Sequence, residues 1–235
     1  MVERLLAWFA EHGRDLPWRR TRDPYAILVS EVMLQQTQAA RVVPRYVAWL
    51  ERWQTVEALA AASTAEVLRE WQGLGYNRRA LNLQLAAREI SASGWPEDLT
   101  TLPGVGRYTA DAVACFAFGR PVLPMDVNVR RVLERTGASF DHRCAQALMD
   151  LGATICIARV PRCGECPLAE ECPSRGQRFE AARKQGRFEG SFRQRRAAAL
   201  RALLDGDDPA DLEAVGALAQ DGLVRLEGDV ISLPD

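Results

Sequence analysis

The chain has 235 residues, 48% of them hydrophobic, and its 30 basic and 31 acidic side chains leave a net charge of −1 at pH 7. That length suffices for one or two packed domains, while a near-zero net charge argues neither for nor against nucleic acid, because a small basic face can hide in a neutral total. No stretch approaches the ~20 uninterrupted apolar residues of a membrane span, and the amino terminus MVERLLAWFAEHGRDLPW puts charges where a signal peptide needs an apolar core, so a soluble, cytoplasmic globule is expected.

Along the chain, apolar residues recur at helical spacing through most of the first 173 residues, as in Val42 to Trp53 and Ala65 to Trp71, and strand-like alternation is nearly absent. Asp23-Pro24 opens one helix, Thr64 is placed to cap another, and Pro103-Gly104 and Gly119 bracket a third. This part is predicted to be all-α. Within it, LPGVGRYTADAVACFAFGR sets Gly104 and Gly106 in a turn directly before a helix. Glycines permit the tight turn, and free N–H groups at a helix start attract phosphate. Such a turn alone is a weak signal, and its surroundings decide its meaning.

Next comes a run of cysteines: Cys156, Cys163, Cys166 and Cys172, at intervals of six, two and five residues. A disulfide framework does not suit a cytoplasmic chain of this size, so four thiols within 17 residues point to metal. Zinc usually shows two CxxC pairs around a longer knuckle; here a single CxxC is followed at once by Pro167, as at iron–sulfur ligands. A [4Fe–4S] cluster is the favoured reading, with zinc or no metal as the alternatives. Arg159 and Arg162 lie inside the loop, where they offer a basic surface to phosphate, and Cys115 and Cys144 are expected to be buried small hydrophobes.

After Cys172 the charge changes character. Arg175 to Arg201 holds nine basic and two acidic residues, whereas from Asp205 onward nine are acidic and one is basic. The end reads as a helix (Arg193 to Leu204), a second helix (Pro209 to Gln220) and a hairpin (Leu223 to Leu233) turning at Glu227-Gly228-Asp229. That pattern fits either a small winged-helix module or a helical appendage packed on the main body.

The segment LPGVGRYTADAVACFAFGRP, followed by MDVNVRRV, resembles the helix-hairpin-helix DNA glycosylase superfamily, which includes endonuclease III. Further segments narrow the likeness to the MutY-type adenine glycosylases: SEVMLQQTQ resembles their catalytic helix, GLGYNRRALNL their wedge loop, and AQALMDLGATIC the stretch leading into their cluster. The match covers about residues 5 to 173. It implies a two-lobed glycosylase over 1–173, with a six-helix lobe at about 20–119 and a cluster lobe built from about 1–19 with 120–173. A basic linker at 174–192 and a small C-terminal α/β module at 193–235 follow. A nucleoid-associated monomer acting on mispaired double-stranded DNA is the implied protein.

Carried over residue by residue, the resemblance makes Glu31 the acid that protonates the adenine ring and Asp126 the carboxylate facing the sugar as it becomes oxocarbenium-like, with Tyr108 and Asn128 as helpers. Arg14, Leu16, Trp18, Arg19 and Gln146 resemble the adenine pocket. Gln36 and Tyr76 match the intercalating positions that fill the gap left by an extruded base, and Leu34, Thr37, Gly104 and Gly106 complete the implied DNA-contacting set. Strand-cleaving relatives carry a lysine where Tyr108 stands, and the chain's only lysine is Lys184 in the linker, so no lyase activity is expected.

About 60 residues follow Cys172, too few for the MutT-like second domain common among full-length MutY proteins; the link from the Asp126 helix to the Gln146 helix looks short, and Ala145 stands where Asn is common. These departures leave open the base opposite the adenine. They also leave two alternatives: a thymine or uracil glycosylase acting on T:G or U:G mispairs, and a non-catalytic cluster-bearing DNA-binding protein. QQTQ and RDLPWR favour adenine, and retention of both carboxylates favours an enzyme.

Overall fold

A computed structural model describes residues 1–180, 186–228 and 230–234, so Lys184 and the Asp229 of the expected hairpin turn lie outside the described residues. The helices are α1 (Val2–His12), α2 (Pro24–Leu34), α3 (Ala39–Arg52), α4 (Val56–Ala61), α5 (Thr64–Glu70), α6 (Arg78–Ser93), α7 (Arg107–Phe116), α8 (Val127–Thr136), α9 (Ala145–Thr154), α10 (Phe192–Asp205) and α11 (Leu212–Gln220). Among the described residues the strands are β1 (Arg225–Glu227) and β2 (Val230–Ser232), so the all-α expectation holds up to the C-terminal hairpin. No helix among these residues is long and apolar enough to cross a membrane. The chain divides into two compact units, Met1–Ile27 with Gly106–Lys184, and Leu28–Val105 with Gln185–Asp235.

In the first unit, α1, α8 and α9 enclose a core of Leu5, Val129, Val132, Leu148, Leu151 and Leu168. Cys144 is buried in this core as expected, whereas Cys115 on α7 is only half-buried. The approach of α8 to α9 is close: a Cβ on Gly152 would lie 2.6 Å from the Asn128 Cβ, so no larger residue fits without moving a helix. Arg4 of α1 pairs with Glu170 and Glu171, tying the first helix to the cysteine loop.

The second unit is built around tryptophans. Trp49 meets Trp53 and Trp71 edge-on at 4.6 and 5.5 Å, and Leu59, Leu68 and Leu83 close the core around them. The cap of α5 is Ser63 rather than Thr64: Ser63 and Glu66 form a reciprocal capping box, which satisfies two helix-start donors where a lone threonine satisfies one. Thr64 instead turns inward, and its hydroxyl donates to Gln84 Oε1 at 3.0 Å.

The C-terminal segment belongs to this second unit. Helix α10 packs against α5, where Arg69 Nε donates to the Leu204 carbonyl at 3.1 Å. Part of the charge asymmetry seen in the sequence is offset internally, because Arg195 pairs with Asp211 and Glu213, and Arg196 with Asp221. Helix α11 starts three residues later than Pro209 predicts a start, because Asp211 caps it through the Ala214 amide. Strands β1 and β2 pair antiparallel, with Leu226 opposite Ile231.

Candidate functional site

The first unit carries most of the residues to which chemistry was assigned. Asp126 caps α8: its Oδ1 accepts from the Asn128 and Val129 amides at 2.9 and 2.7 Å, and its Oδ2 accepts from Asn128 Nδ2 at 2.8 Å. Both oxygens are thereby aimed by the helix start, and Asn128 serves Asp126 with backbone and side chain together. Tyr108, in the first turn of α7, is half-buried in the same unit.

Arg131 extends this network and was not singled out from the sequence. Its guanidinium donates to Asn128 Oδ1 at 2.7 Å, to the Gly152 carbonyl at 2.7 Å and to the Cys156 carbonyl at 2.8 Å. One turn further on, Arg135 donates to the Ile157 and Ala158 carbonyls at 2.8 and 2.6 Å, and the Phe179 ring lies 3.6 Å from its guanidinium carbon. Arginines at i and i+4 share a helix face, so one face of α8 fixes the first cysteine's loop at three carbonyls.

All four loop cysteines line a single pocket, with Val132, Arg135 and Leu151 among its walls. Arg135 Nη1 approaches Cys156 Sγ at 3.5 Å and the Gly176 amide donates to Cys163 Sγ at 3.3 Å. Burial pushes the Cys166 thiol up, the nearby Cys156, Cys172 and Cys163 push it further, and the Leu168 amide opposes them. Among the described residues, no three His, Cys, Asp or Glu side chains close on one point as a single ion requires; the four thiols stand instead around a shared space. Arg159 and Arg162 are both exposed, and Arg162 also lines this pocket.

The RDLPWR segment is organised by a residue that sequence reasoning passed over. Asp150, fully buried on α9, receives the Arg14 amide and Nε at 2.8 Å each and both terminal nitrogens of Arg19 at 2.8 and 2.7 Å. Burial pushes the Asp150 carboxyl up, but the Arg19 and Arg14 hydrogen bonds outweigh it and hold the group below the usual carboxylate range. Leu16 and Trp18, which lie between Arg14 and Arg19 in the sequence, are buried. Gln146 lies one turn before Asp150 on the same helix, so it shares the face of α9 to which Asp150 holds Arg14 and Arg19. A single acid in the otherwise apolar run AQALMDLGATIC was the available signal.

The second unit holds the rest. Glu31 is 4% exposed on α2 among Leu28, Val29, Val32 and Met33, all buried. Leu34 ends that helix and its carbonyl accepts from the Thr37 amide at 3.1 Å. Gln36 and Tyr76 are exposed and carry φ values of 55° and 48°, the only positive φ values of non-glycine residues among those described. For an aromatic residue this region is an outlier. Gly104 also has positive φ, and a Cβ there would lie 2.6 Å from the Asn82 Cβ, whereas Gly106, in the first unit, is extended, caps the start of α7 and leaves its surroundings open.

Residues 29–151 match the description HhH-GPD superfamily base excision DNA repair protein. The chain is 43% identical to the adenine DNA glycosylase of Mycolicibacterium smegmatis, over 96% of this chain and 92% of that protein. Among solved structures, a thermostable thymine-DNA glycosylase is similar with a TM-score of 0.66 at 30% identity, covering 73% of this chain and 93% of that one. A trapped endonuclease III–DNA covalent intermediate is similar with a TM-score of 0.62 at 25% identity, covering 73% and 92%.

Proposed function

The chain belongs to the HhH-GPD superfamily of base excision DNA repair proteins, and from that premise we propose that it is a DNA glycosylase that removes adenine mispaired with 8-oxoguanine or guanine. The observation that carries this reading is the likeness, over nearly the whole of both chains, to a relative named adenine DNA glycosylase. The fixation of Arg14 and Arg19 by Asp150, one turn from Gln146, supports a preformed pocket for the extruded base. A thymine or uracil reading draws on the thymine-DNA glycosylase structure, but at lower identity and over less of this chain.

In this reading Glu31 delivers a proton to a ring nitrogen of adenine as the bond to the sugar carbon breaks and its electron pair leaves with the base. Asp126, held by the start of α8 and by Asn128, stabilises the positive charge that develops on the sugar, and Tyr108 assists. Water completes the hydrolysis and returns a proton. The amides at the start of α7, after Gly104 and Gly106, hold a backbone phosphate, and Leu34, Gln36, Thr37 and Tyr76 enter the duplex. The protein works as a monomer in the cytoplasm, at the nucleoid.

Cys156, Cys163, Cys166 and Cys172 hold a [4Fe–4S] cluster: four thiols around a shared space suit a multi-atom centre bound by thiolates. Bound there, it supplies a cross-link that fixes the loop. With Tyr108 where a lyase has its lysine, and Lys184 the only amine side chain, base removal leaves the strand intact.

Duplexes containing A:8-oxoG, A:G, A:C, T:G and U:G, incubated with protein and then treated with alkali, test the reading. Excision of adenine opposite 8-oxoguanine or guanine is expected; excision of thymine or uracil but never adenine overturns it. A borohydride-trapped adduct that forms in good yield and survives Lys184→Ala overturns the monofunctional assignment.

A further inference from the structure

Among the described residues, the two non-glycine residues in left-handed backbone, Gln36 and Tyr76, share a neighbour. Arg79, at the start of α6, donates through Nη1 to the Gln35 carbonyl at 2.5 Å and through Nη2 to the Gly75 carbonyl at 3.0 Å. These are the carbonyls immediately preceding the two strained residues, so one planar guanidinium anchors the peptide on which each φ angle turns. The same group binds the Val32 and Met33 carbonyls at 2.8 and 3.0 Å, Thr37 Oγ1 at 3.2 Å and the Leu74 carbonyl at 3.2 Å. It lies 5.6 Å from the Tyr76 ring centroid and 5.3 Å from that of Trp71.

We infer that Arg79 is a positioning residue that locks the Gln36 and Tyr76 loops together in their left-handed backbone, as one wedge formed before DNA arrives. A non-glycine residue in this region brings its Cβ too close to the following carbonyl oxygen, and such strain persists only where the surroundings over-determine it. Six oxygens from two loops and the end of α2, converging on one side chain, are that over-determination. Burial pushes the Arg79 guanidinium down to about 10, against the raising effect of Tyr76, and it stays charged at neutral pH. Its Nε is buried without a hydrogen bond among the described residues, so the anchoring runs through Nη1 and Nη2. Because α2 also carries Glu31, the brace sets the acid's helix and the wedge in one frame.

The inference rests on the reading of Gln36 and Tyr76 as inserting residues, and the experiment separates the two. The probe is a duplex with 2-aminopurine beside a mispaired adenine, whose fluorescence rises on unstacking. Arg79→Lys keeps the charge and loses the fork. It is expected to bind matched duplex within about twofold of wild type, because phosphate contacts dominate that affinity, while losing most of the fluorescence rise and about 10- to 100-fold in single-turnover excision. A full rise in Arg79→Lys, with Gln36→Ala and Tyr76→Ala both losing it, overturns the positioning role alone. If those two alanine variants keep the full rise, the insertion reading falls first. Should Arg79→Lys not fold, nitrogen-15 NMR of the DNA-free wild type decides: hindered guanidinium rotation at Arg79 is expected, and free rotation overturns the inference.

Discussion

The start of α8 and the two loops braced by Arg79 hold their functional side chains in opposite ways. At α8, Asp126 has ordinary extended backbone, and both carboxylate oxygens accept from the first turn of the helix it caps. At the loops, Gln36 and Tyr76 are exposed in unfavourable backbone that a remote guanidinium maintains. A group that must steady a developing charge is best held relaxed, since reorganisation at the moment of reaction raises the barrier. Groups that must enter a base stack gain from being fixed outward in advance, because ordering them on binding costs entropy.

The largest test of this contrast falls on Asp126. Asparagine caps a helix about as well as aspartate, so Asp126→Asn should leave the melting temperature near wild type while excision falls about 100-fold or more; activity retained in the variant would reduce Asp126 to a cap. Asp150→Ala should destabilise by about 3–5 kcal/mol in thermal or denaturant unfolding, since it strands two arginines that share one buried acid. The pH dependence follows from the same group. The Asp150 carboxyl is held below its ordinary value, so its contribution is complete above about pH 4 and is lost as pH falls further, through the folded-state value. Stability measured against pH should show an acid-side loss that Asp150→Asn removes.

Smaller effects sharpen the other side. Gly104→Ala should cost more than about 1 kcal/mol, from left-handed backbone and the Asn82 contact, whereas Gly106→Ala, in extended backbone facing open space, should cost less in the same chemical denaturation series. Gln36→Gly should relieve strain and raise stability by about 0.5 kcal/mol, the left-handed penalty less the entropy of an added glycine, yet excision should drop. A loss of stability in Gln36→Gly would show that the loop is not strained.

Much of this was legible along the chain because it is local. Helical spacing marked α3 and α5, and four cysteines within 17 residues declared a shared site. Short-range errors came from competition between adjacent residues: Ser63 outbid Thr64 for the cap through its partner Glu66, and Asp211 outbid Pro209 as the start of α11. The half-buried Cys115 departed from expectation because its place on α7 leaves one side of the thiol uncovered.

By itself the sequence determined the helical class, the cysteine loop and the lack of a lysine near Tyr108, all of which depend on residue type and short spacing. The tertiary structure alone decided which oxygens each buried arginine meets. Arg14 and Arg19 turn to Asp150 across more than 130 positions, Arg131 and Arg135 turn to the cysteine loop, and Arg79 reaches back 44 positions to Gln35. Nearly every basic residue here is an arginine, and in one dimension all of them look alike. What separates them is burial, where a five-donor planar group must be answered by oxygens that only the folded chain brings together.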